Sequence, residues 1–380
     1  MKTLIALITL LYSVTLFSQE RITLLFVGDL MQHQAQIDAA RTPDGKYDYS
    51  SCFSLVKEQI TGADVAIGNL EVTLGGKPYQ GYPAFSAPDE YLQSIKSAGF
   101  DVLLTANNHC LDRGKKGLER TILMLDSLSI PHVGTYRNIT ERKQHYPLFI
   151  NKKGFRIALL NYTYGTNGIK PSSTNIVNYI DKDIMSQDIL SAKARRPDVI
   201  IACMHWGVEY QSLPNKEQRE LANWLLEQGV THIIGSHPHV IQPMELHKED
   251  AMQNVIVYSL GNFISNMSAT NTDGGLIFTL QLEKFPLPKP IPPRFSEASY
   301  SPLLESSSVQ LPYCRIVNCG YDLIWTALPK HSGRKNYILY PVNYLTDSLS
   351  QEARNRLKIF TENSRKLLQQ YNVGIHENKK

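Results

Sequence analysis

The sequence predicts an α/β fold in which strands and helices form layers. Short apolar segments rich in β-branched residues recur from residue 22 to residue 259 and predict strands. Stretches with apolar residues at helical spacing lie between several of them. Polar residues that can bind metal ions follow directly after five of these strands. Because α/β folds present their ligand sites at the carboxyl ends of strands, this third observation also predicts where the functional site lies.

The predicted elements alternate along the first 283 residues. Strands are predicted at 22–27, 65–67, 102–105, 157–160, 199–204, 232–235 and 255–259. Helices are predicted at 89–98, 115–128 and 216–228. The last helix places Leu221, Trp224 and Leu225 on one face and ends at Gly229. No repeat of fixed period occurs, which excludes solenoids and propellers.

The composition changes after residue 283. Residues 284–312 are rich in proline and then in serine, which predicts a linker or a surface crossing. Residues 313–380 are predicted to form a C-terminal extension with a strand at 337–340 and a terminal helix at 351–371. This extension could complete the main domain or cover a site, and the sequence leaves both alternatives open.

The overall composition describes a soluble globular chain. A hydrophobic fraction of 42%, a charged fraction of 19% and a mean hydropathy of −0.24 exclude disordered, collagen-like and polytopic membrane proteins. The net charge is +4 and no basic run is long, so no nucleic-acid partner is expected. The five cysteines have no zinc-finger spacing, and only Cys314 and Cys319 form a close pair that could bridge.

Residues 1–18 have the pattern of a signal peptide. Lys2 precedes an uncharged apolar run at 3–17, and Ser18 and Gln19 follow it. The run is shorter than the roughly 20 residues that cross a bilayer. The sequence therefore predicts an exported protein, periplasmic or secreted, whose main domain begins at residue 19. An uncleaved N-terminal membrane anchor is the alternative, because Leu16 suits the cleavage site poorly.

Candidate metal ligands follow the five strands in short polar motifs. These motifs are Gly28-Asp29, Gly68-Asn69-Leu70-Glu71, Ala106-Asn107-Asn108-His109, His205-Trp206-Gly207 and Gly235-Ser236-His237-Pro238-His239. A set of nitrogen and oxygen ligands without thiolate favours Mn, Zn or Fe, and one or two divalent ions per chain are expected. Two ions joined by a carboxylate activate water and bind an oxyanion such as phosphate, which is hydrolytic chemistry.

Each candidate ligand also has a structural interpretation. Taken singly, five of them fit a turn, a helix cap, a solvated loop or a buried core position: Asp29, Asn69, Glu71, Asn108 and His205. The pair His237 and His239 is the stronger signal. Alternate side chains of an extended segment face the same way, and Pro238 favours an extended residue before it.

Eight motifs occur in order between residues 21 and 265. They are Gly28-Asp29-Leu30-Met31, Gly68-Asn69-Leu70-Glu71, Phe85-Ser86-Ala87-Pro88, Ala98-Gly99-Phe100-Asp101-Val102, Ala106-Asn107-Asn108-His109 with Asp112 and Gly114, His205-Trp206-Gly207 with Glu209-Tyr210, Gly235-Ser236-His237-Pro238-His239-Val240 and Tyr258-Ser259-Leu260-Gly261-Asn262-Phe263. Together they resemble the CapA family of bacterial capsule-synthesis and poly-γ-glutamate biosynthesis proteins, which lies within the calcineurin-like metallophosphoesterase superfamily.

The resemblance implies a four-layer αββα sandwich of metallophosphoesterase type at 19–283, followed by the C-terminal extension. It implies that Asp29 and His239 bind a first metal ion. It also implies that Asn108, His205 and His237 bind a second.

Two positions depart from the pattern of the wider superfamily. Asn69 stands where a bridging aspartate is usual, so Glu71 is the predicted bridge and Asn69 an added ligand. Met31 stands where a histidine is usual, which leaves the first site weak, differently built or empty. His33 could reach in from two residues further along, or it could be an exposed loop residue.

Residues around the predicted ligands suggest the catalytic groups. His109 is the candidate general acid, and Asp112 could orient its imidazole or cap the following helix. Glu209 and Tyr210 are candidates for substrate contact, with a structural loop as the alternative. Arg113, beside Lys115 and Lys116, could attract an anionic polymer or belong to a solvated face. The loop 75–85 could roof the site or be a solvated loop.

Two functions follow as hypotheses. The first is a secreted metal-dependent hydrolase, phosphoesterase-like, that acts on an anionic polymer or a phosphoester during capsule or poly-γ-glutamate synthesis or remodelling at the cell envelope. The second is a non-catalytic accessory protein for polymer binding or export on the same scaffold, associated with a capsule-synthesis membrane complex. Fold alone does not separate them.

Overall fold

The computed structural model describes residues 20–249, 252–284 and 314–378. The predicted signal peptide at 1–18 and nearly all of the predicted linker at 284–312 lie outside the described residues. No helix in the described ranges has both the length and the apolar character needed to cross a membrane.

Strands and helices alternate through most of the chain. In chain order the strands are β1 (Glu20–Leu30), β2 (Val65–Leu70), β3 (Val102–Leu104), β4 (His132–Val133), β5 (Thr135–Tyr136), β6 (Leu148–Lys152), β7 (Phe155–Thr163), β8 (Ile176–Val177), β9 (Val199–His205), β10 (His232–Ser236), β11 (Met244–Glu249), β12 (Met252–Val257), β13 (Asn262–Ile264), β14 (Gly274–Lys284), β15 (Cys314–Ala327), β16 (Ile338–Pro341) and β17 (His376–Glu377). The helices are α1 (Gln34–Ala40), α2 (Lys57–Thr61), α3 (Asp89–Ala98), α4 (Gly114–Ser127), α5 (Ile139–His145), α6 (Lys182–Ala194), α7 (Lys216–Glu227), α8 (Pro329–Ser332) and α9 (Gln351–Tyr371).

Two large sheets face each other. Among the described residues the larger sheet has nine strands in the order β16-β15-β14-β1-β2-β3-β4, with β13 beside β1 and β17 beside β15. The smaller sheet has six strands in the order β11-β12-β10-β9-β7-β6 over the same residues. Strands β1 to β4 are parallel to one another, as are β7, β9, β10 and β12. Their carboxyl ends therefore lie at one edge of each sheet.

Strand β1 shows how the layers arise from the sequence. Successive side chains of a strand point to opposite faces. Leu24 and Phe26 belong to the core cluster shared with the second sheet, while Leu25 and Val27 pack with Tyr91 of α3 in the outer cluster. Helices α6 and α7 bury their own apolar faces against the smaller sheet. The predicted four-layer αββα arrangement is confirmed.

The C-terminal extension is part of the larger sheet. Strand β15 pairs antiparallel with β14 from Gly274 and Trp325 to Lys284 and Cys314, so the extension completes the main domain. The last described residues then join the two sheets, because the Val373 amide donates to the Met244 carbonyl and the Asn378 amide donates to the Tyr321 carbonyl.

Cys314 and Cys319 are both free cysteines on β15. Five residues of a strand span about 16 Å, whereas a disulfide needs Cα atoms within about 7 Å. The bridge considered from the sequence therefore does not form.

Candidate metal centre

The carboxyl ends of β1 and β2 and the first residue of β13 bring three polar side chains together. Asp29 is the register partner of Asn69 on one side and of Asn262 on the other. The Asp29 amide donates to the Gly261 carbonyl at 3.1 Å. A Cβ atom on Gly28 would collide with that carbonyl oxygen, so glycine is required for this close approach.

The smaller sheet supplies the histidines. His205 ends β9 and is the register partner of Ser236, which ends β10 and precedes His237. His205 Nε2 lies 3.0 Å from Oδ1 of Asn108, which follows β3 of the larger sheet. The carboxyl ends of both sheets therefore meet at one buried cluster.

Three overlapping groups within this cluster have the composition of a metal site. They are Asp29 with Glu71 and His239, Glu71 with His205 and His237, and Glu209 with His237 and His239. In each group the candidate ligand atoms lie within 4.8 Å of one another. Glu71 Oε1 lies 3.8 Å from His205 Nε2 and 3.8 Å from His239 Nε2. Glu71 therefore occupies the shared position between two neighbouring sites.

Several of these ligand atoms are buried without a hydrogen bond. Among the described residues, Asp29 Oδ2, Glu71 Oε1 and His237 Nδ1 have no hydrogen-bond partner and almost no solvent contact. A buried polar atom without a partner costs about 1–3 kcal/mol, and more when it is charged. Asp29 belongs to one of these groups, His237 to the others, and Glu71 to two of the three, so two neighbouring divalent cations would satisfy all three atoms. Oxygen and imidazole donors suit Mn, Zn or Fe. The residues present therefore fit the expected ions.

Burial and neighbouring charges set the protonation of the cluster. Burial raises the pKa of Glu71 well above its usual value, and the charge of Asp29 raises it further. Burial lowers the pKa of His205 well below its usual value and that of His237 to about 3. Both imidazoles are therefore neutral, which is the form that binds metals.

Asp29 and His239 form an ion pair within the same cluster. Burial alone would raise the pKa of Asp29 and lower that of His239, but their mutual contact reverses both shifts. Their closest atoms, Asp29 Oδ2 and His239 Nδ1, are 3.3 Å apart.

The segment with His237 and His239 is not extended, which corrects the expectation from the sequence. His237 has φ of 103° and His239 has φ of 58°, so both are left-handed. The preference of a residue before proline for extended backbone is overridden here by the surrounding structure. Such conformations are costly and concentrate at functional sites. The imidazoles converge because the backbone turns, not because they alternate along a strand.

Asn69 contacts Asp29 and His205 through its amide nitrogen. Nδ2 donates to Asp29 Oδ1 at 2.7 Å and lies 3.3 Å from His205 Nδ1. Its Oδ1 accepts from Asn107 at 3.3 Å. In this arrangement Asn69 holds two candidate ligands in place.

His109 and Asp112 form a close pair beside the cluster. His109 Nδ1 donates to Asp112 Oδ2 at 2.8 Å, and the same oxygen accepts from the Phe85 amide at 2.9 Å. Arg113, and not Asp112, is the N-cap residue of α4. Of the two roles considered for Asp112, its contacts are those of a residue that orients an imidazole.

Two asparagines of the site have no role in the sequence-based assignment. Asn107 donates to the Leu70 carbonyl and accepts from the His109 amide, which ties the β2 and β3 ends together. Asn262 Oδ1 accepts from His239 Nδ1 at 3.0 Å and leaves Nε2 directed towards Glu71. A polar residue directly after a glycine, which Gly261-Asn262 shares with Gly28-Asp29 and Gly68-Asn69, is the signal that could have identified the second.

Met31 and His33, the two residues considered for the first metal site, lie beside the cluster. Met31 is 2% exposed and packs in the outer apolar cluster. His33 is the N-cap residue of α1. Its amide donates to Gln36 Oε1 at 2.8 Å, and its ring lies 5.3 Å from that of Phe85. It is partly buried and not an exposed loop residue.

Of the three candidates for substrate contact, Glu209 and Tyr210 lie beside the histidines of the site, whereas Arg113 contacts the loop 75–85. Glu209 lies in the group with His237 and His239, and the Tyr210 ring lies 6.3 Å from that of His239. Arg113 donates instead to Gln80 Oε1 of the loop 75–85 at 3.3 Å. That loop reaches the site, because the ring of its Phe85 lies 4.6 Å from His109.

The two facing sheets and the buried carboxylates and imidazoles at their carboxyl ends define an αββα protein with a candidate divalent-metal centre. Residues 23–267 match the family described as bacterial capsule synthesis protein PGA_cap. The chain belongs to this family, and the resemblance to the CapA family is confirmed.

Three known proteins illustrate the similarity. Capsule biosynthesis protein CapA of Bacillus anthracis is 30% identical over 68% of this chain and 63% of its own length. PGA biosynthesis protein CapA of Bacillus subtilis is 28% identical over 70% of each chain. The crystal structure of 5'-nucleotidase from Candida albicans SC5314 is 12% identical, with a TM-score of 0.41 over 91% of this chain and 57% of that chain. The chain thus spans less than two thirds of the length of the first relative.

Proposed function

We propose that this chain is an exported, metal-dependent hydrolase of phosphoesterase type that acts in capsule or poly-γ-glutamate synthesis or remodelling at the cell envelope. The observation that carries the proposal is a set of buried candidate ligand atoms that have no hydrogen bond among the described residues, namely Asp29 Oδ2, Glu71 Oε1 and His237 Nδ1. The family and the names of the two Bacillus relatives support the polymer as the biological context.

The cluster offers two neighbouring positions for ions. Asp29, Glu71 and His239 would hold one, and Glu71, His205 and His237 with Asn108 would hold the other. A divalent ion bound there lowers the pKa of a water molecule and offsets negative charge on the substrate.

His109 would supply the proton for the leaving oxygen. Asp112 accepts from His109 Nδ1, which fixes the ring orientation and leaves Nε2 as the atom that carries the transferred proton. Phe85 packs against the ring and limits the access of water on that side. His109 therefore acts on the substrate, while Asp112 acts through His109.

Export is proposed from residues 1–18. The charged Lys2 and the apolar run after it support a cleaved signal peptide and a place outside the cytoplasm. Appearance of the mature protein in the periplasmic or secreted fraction, starting near Gln19, would test this; an unprocessed chain in the membrane fraction would favour the N-terminal anchor.

Metal analysis with activity measurements tests the hydrolase. Purified protein is expected to contain near-stoichiometric metal and to hydrolyse bis- or mono-p-nitrophenyl phosphate with Mn²⁺ or Zn²⁺. His109→Ala should keep the metal and lose about 10²- to 10⁴-fold in turnover. His237→Ala should lose metal and turnover together. The matched control is His247→Ala, a partly exposed histidine of β11 that pairs with Glu245.

The remaining outcomes distinguish the alternatives. Bound metal without any turnover would favour the non-catalytic accessory protein for polymer binding or export. A protein that binds no divalent metal would contradict both the catalytic role and the assignment of Asp29, Glu71 and His237 as metal ligands.

A further inference from the structure

Three tyrosines beside the candidate metal centre expose their rings to solvent. Tyr82 is 71% exposed, Tyr164 is 47% exposed and Tyr210 is 53% exposed. They belong to three separate segments, namely the loop 75–85 and the stretches that follow β7 and β9. An aromatic ring in water forgoes the large stabilisation that burial would give it, so exposed rings gathered at one place indicate a binding surface.

Each of these rings lies against an imidazole of the site. The Tyr164 ring is 4.5 Å from that of His237 and stacks on His205 at 6.2 Å. The Tyr210 ring is 6.3 Å from that of His239, and the Tyr82 ring is 6.4 Å from that of His109. A molecule whose reacting bond sits at the histidines therefore has tyrosine rings beside it.

The tyrosines are held in place by their surroundings. Tyr210 has φ of 66°, an uncommon conformation for a bulky side chain, and its amide donates to the Pro238 carbonyl at 2.8 Å. The Tyr82 ring packs 6.2 Å from that of Phe85, which itself packs on His109. These contacts restrict Tyr210 and Tyr82 before any ligand binds, which reduces the entropic cost of binding.

Two of the three cations considered for polymer binding have protein partners. Arg113 donates to Gln80 Oε1 at 3.3 Å, and Lys115 Nζ lies 3.8 Å from Glu119 Oε1. Each tyrosine presents an apolar ring and an uncharged hydroxyl group. Such side chains suit a ligand that has flat groups and hydrogen-bond acceptors in alternation.

We propose that Tyr82, Tyr164 and Tyr210 form a substrate-binding tyrosine rim that holds a segment of γ-glutamyl polymer across the metal centre. The rings stack on the planar amide groups of the polymer, and the phenol hydroxyls donate to its carboxylates. The identity of the polymer rests on the proposed function.

Calorimetric titration of Mn²⁺-loaded protein with poly-γ-glutamate tests the tyrosine rim. Each of Tyr82→Ala, Tyr164→Ala and Tyr210→Ala is expected to raise the Kd about 3- to 10-fold through loss of stacking. The corresponding phenylalanine variants keep the ring, so their smaller increase in Kd measures the hydroxyl. Tyr344→Ala, which removes a 47% exposed tyrosine after β16, is the control and should leave the Kd unchanged. Metal content should be the same in all variants.

Two results would overturn the tyrosine rim: no binding of the polymer by the wild type, or an unchanged Kd in all three alanine variants with metal retained. Failure of the hydrolase proposal is a different result, namely polymer binding that depends on the tyrosines without turnover of the nitrophenyl esters. Turnover of those esters without polymer binding would refute the tyrosine rim and leave the hydrolase standing.

Discussion

The two ends of the sheet sandwich place buried ionisable side chains in opposite situations. At the carboxyl ends, Glu71 is fully buried beside Asp29, and its Oε1 has no hydrogen-bond partner among the described residues. At the amino end of β1, Glu283 has no exposed surface either, but it accepts from Arg21 at 2.8 Å and from Arg315 at 2.6 Å. The hydrogen bond from Arg21 keeps the pKa of Glu283 below its usual value, whereas burial raises that of Glu71.

Two buried histidines, His232 and His237, show the same difference between the two ends of the strands. Burial lowers the pKa of both His232 and His237 to about 3. His232 Nδ1, at the start of β10, accepts from the Val255 amide at 3.3 Å. His237 Nδ1 has no such partner within the described part of the chain. At the amino end of the strands, which we call the scaffold end, Glu283 and His232 have partners from the chain itself. At the carboxyl end, which we call the site end, Glu71 Oε1 and His237 Nδ1 have no hydrogen bond from the described residues. We infer that the missing partners at the site end come from a bound ion.

Of the substitutions that compare the two ends, Glu71→Gln should have the largest effect on stability. Mn²⁺ at about a thousandfold excess over its Kd is expected to raise the free energy of unfolding of the wild type by about 4 kcal/mol, because only the folded state binds it. Glu71→Gln should lose most of this gain, and Glu283→Gln should keep it. Thermal denaturation with Mn²⁺ or with EDTA measures both. A Glu71→Gln protein that responds to Mn²⁺ as the wild type does would contradict the assignment.

Asn262 tests how the site end holds its ligands. Asn262→Ala removes the acceptor of His239 Nδ1, and loss of such a supporting hydrogen bond lowers metal affinity about 10- to 100-fold. Competition with a chelator of known affinity measures the change. Asn254→Ala is the matched control at the scaffold end, where Asn254 donates to the Thr231 carbonyl at 3.0 Å. Equal affinities in the two variants would remove Asn262 from the site.

His232 tests the scaffold end through pH. Its pKa is about 3 in the folded state and 6.5 in the unfolded chain, so the neutral form stabilises the fold and that stability is lost as the pH falls below about 6.5. Between pH 7 and pH 5 the loss is about 2 kcal/mol. The His232→Gln variant has no group that titrates at this position. Its free energy of unfolding should therefore fall by about 2 kcal/mol less than that of the wild type between pH 7 and pH 5. Urea denaturation in EDTA at pH 7 and pH 5 measures both free energies of unfolding. An equal loss of stability between these pH values in the wild type and the variant would show that His232 is not the responsible group.

Glu283 should give the smallest effect. The side chains of Arg21 and Arg315 are 54% and 44% exposed, so water can solvate both guanidinium groups when Glu283→Gln removes the carboxylate charge. A modest fall in Tm with unchanged metal content is expected from calorimetry and metal analysis. Loss of metal in this variant would mean that the two ends are not independent.

Much of the site was predictable because it follows a local rule. Short apolar runs identify the strands, and the candidate ligands lie at or shortly after the strand ends: Asp29, Asn108, His205 and His237. Parallel strands bring their carboxyl ends together. Helices α3 and α9 have the predicted bounds, since their apolar spacing and flanking residues are local signals.

The rest depends on contacts that are distant in sequence. The pairing of β14 with β15 joins segments on either side of residues 285–313, and no local pattern specifies it. The partnership of Asn262 with His239 depends on the position of β13 beside β1. The left-handed backbone of His237 and His239 contradicts their local preferences, because the surrounding structure decides it.

The register of β14 and β15 also has a consequence for protein engineering. Lys284 and Cys314 are paired across the sheet, so the chain leaves and re-enters the larger sheet at adjacent positions. Closing a shorter loop between fixed ends costs less entropy than closing a long one. A designed tight turn could therefore replace residues 285–313 without disturbing the pairing of either strand. A reporter or an affinity module could also be inserted between Lys284 and Cys314. The inserted module would then be attached at the end of two strands, outside the core of the sandwich.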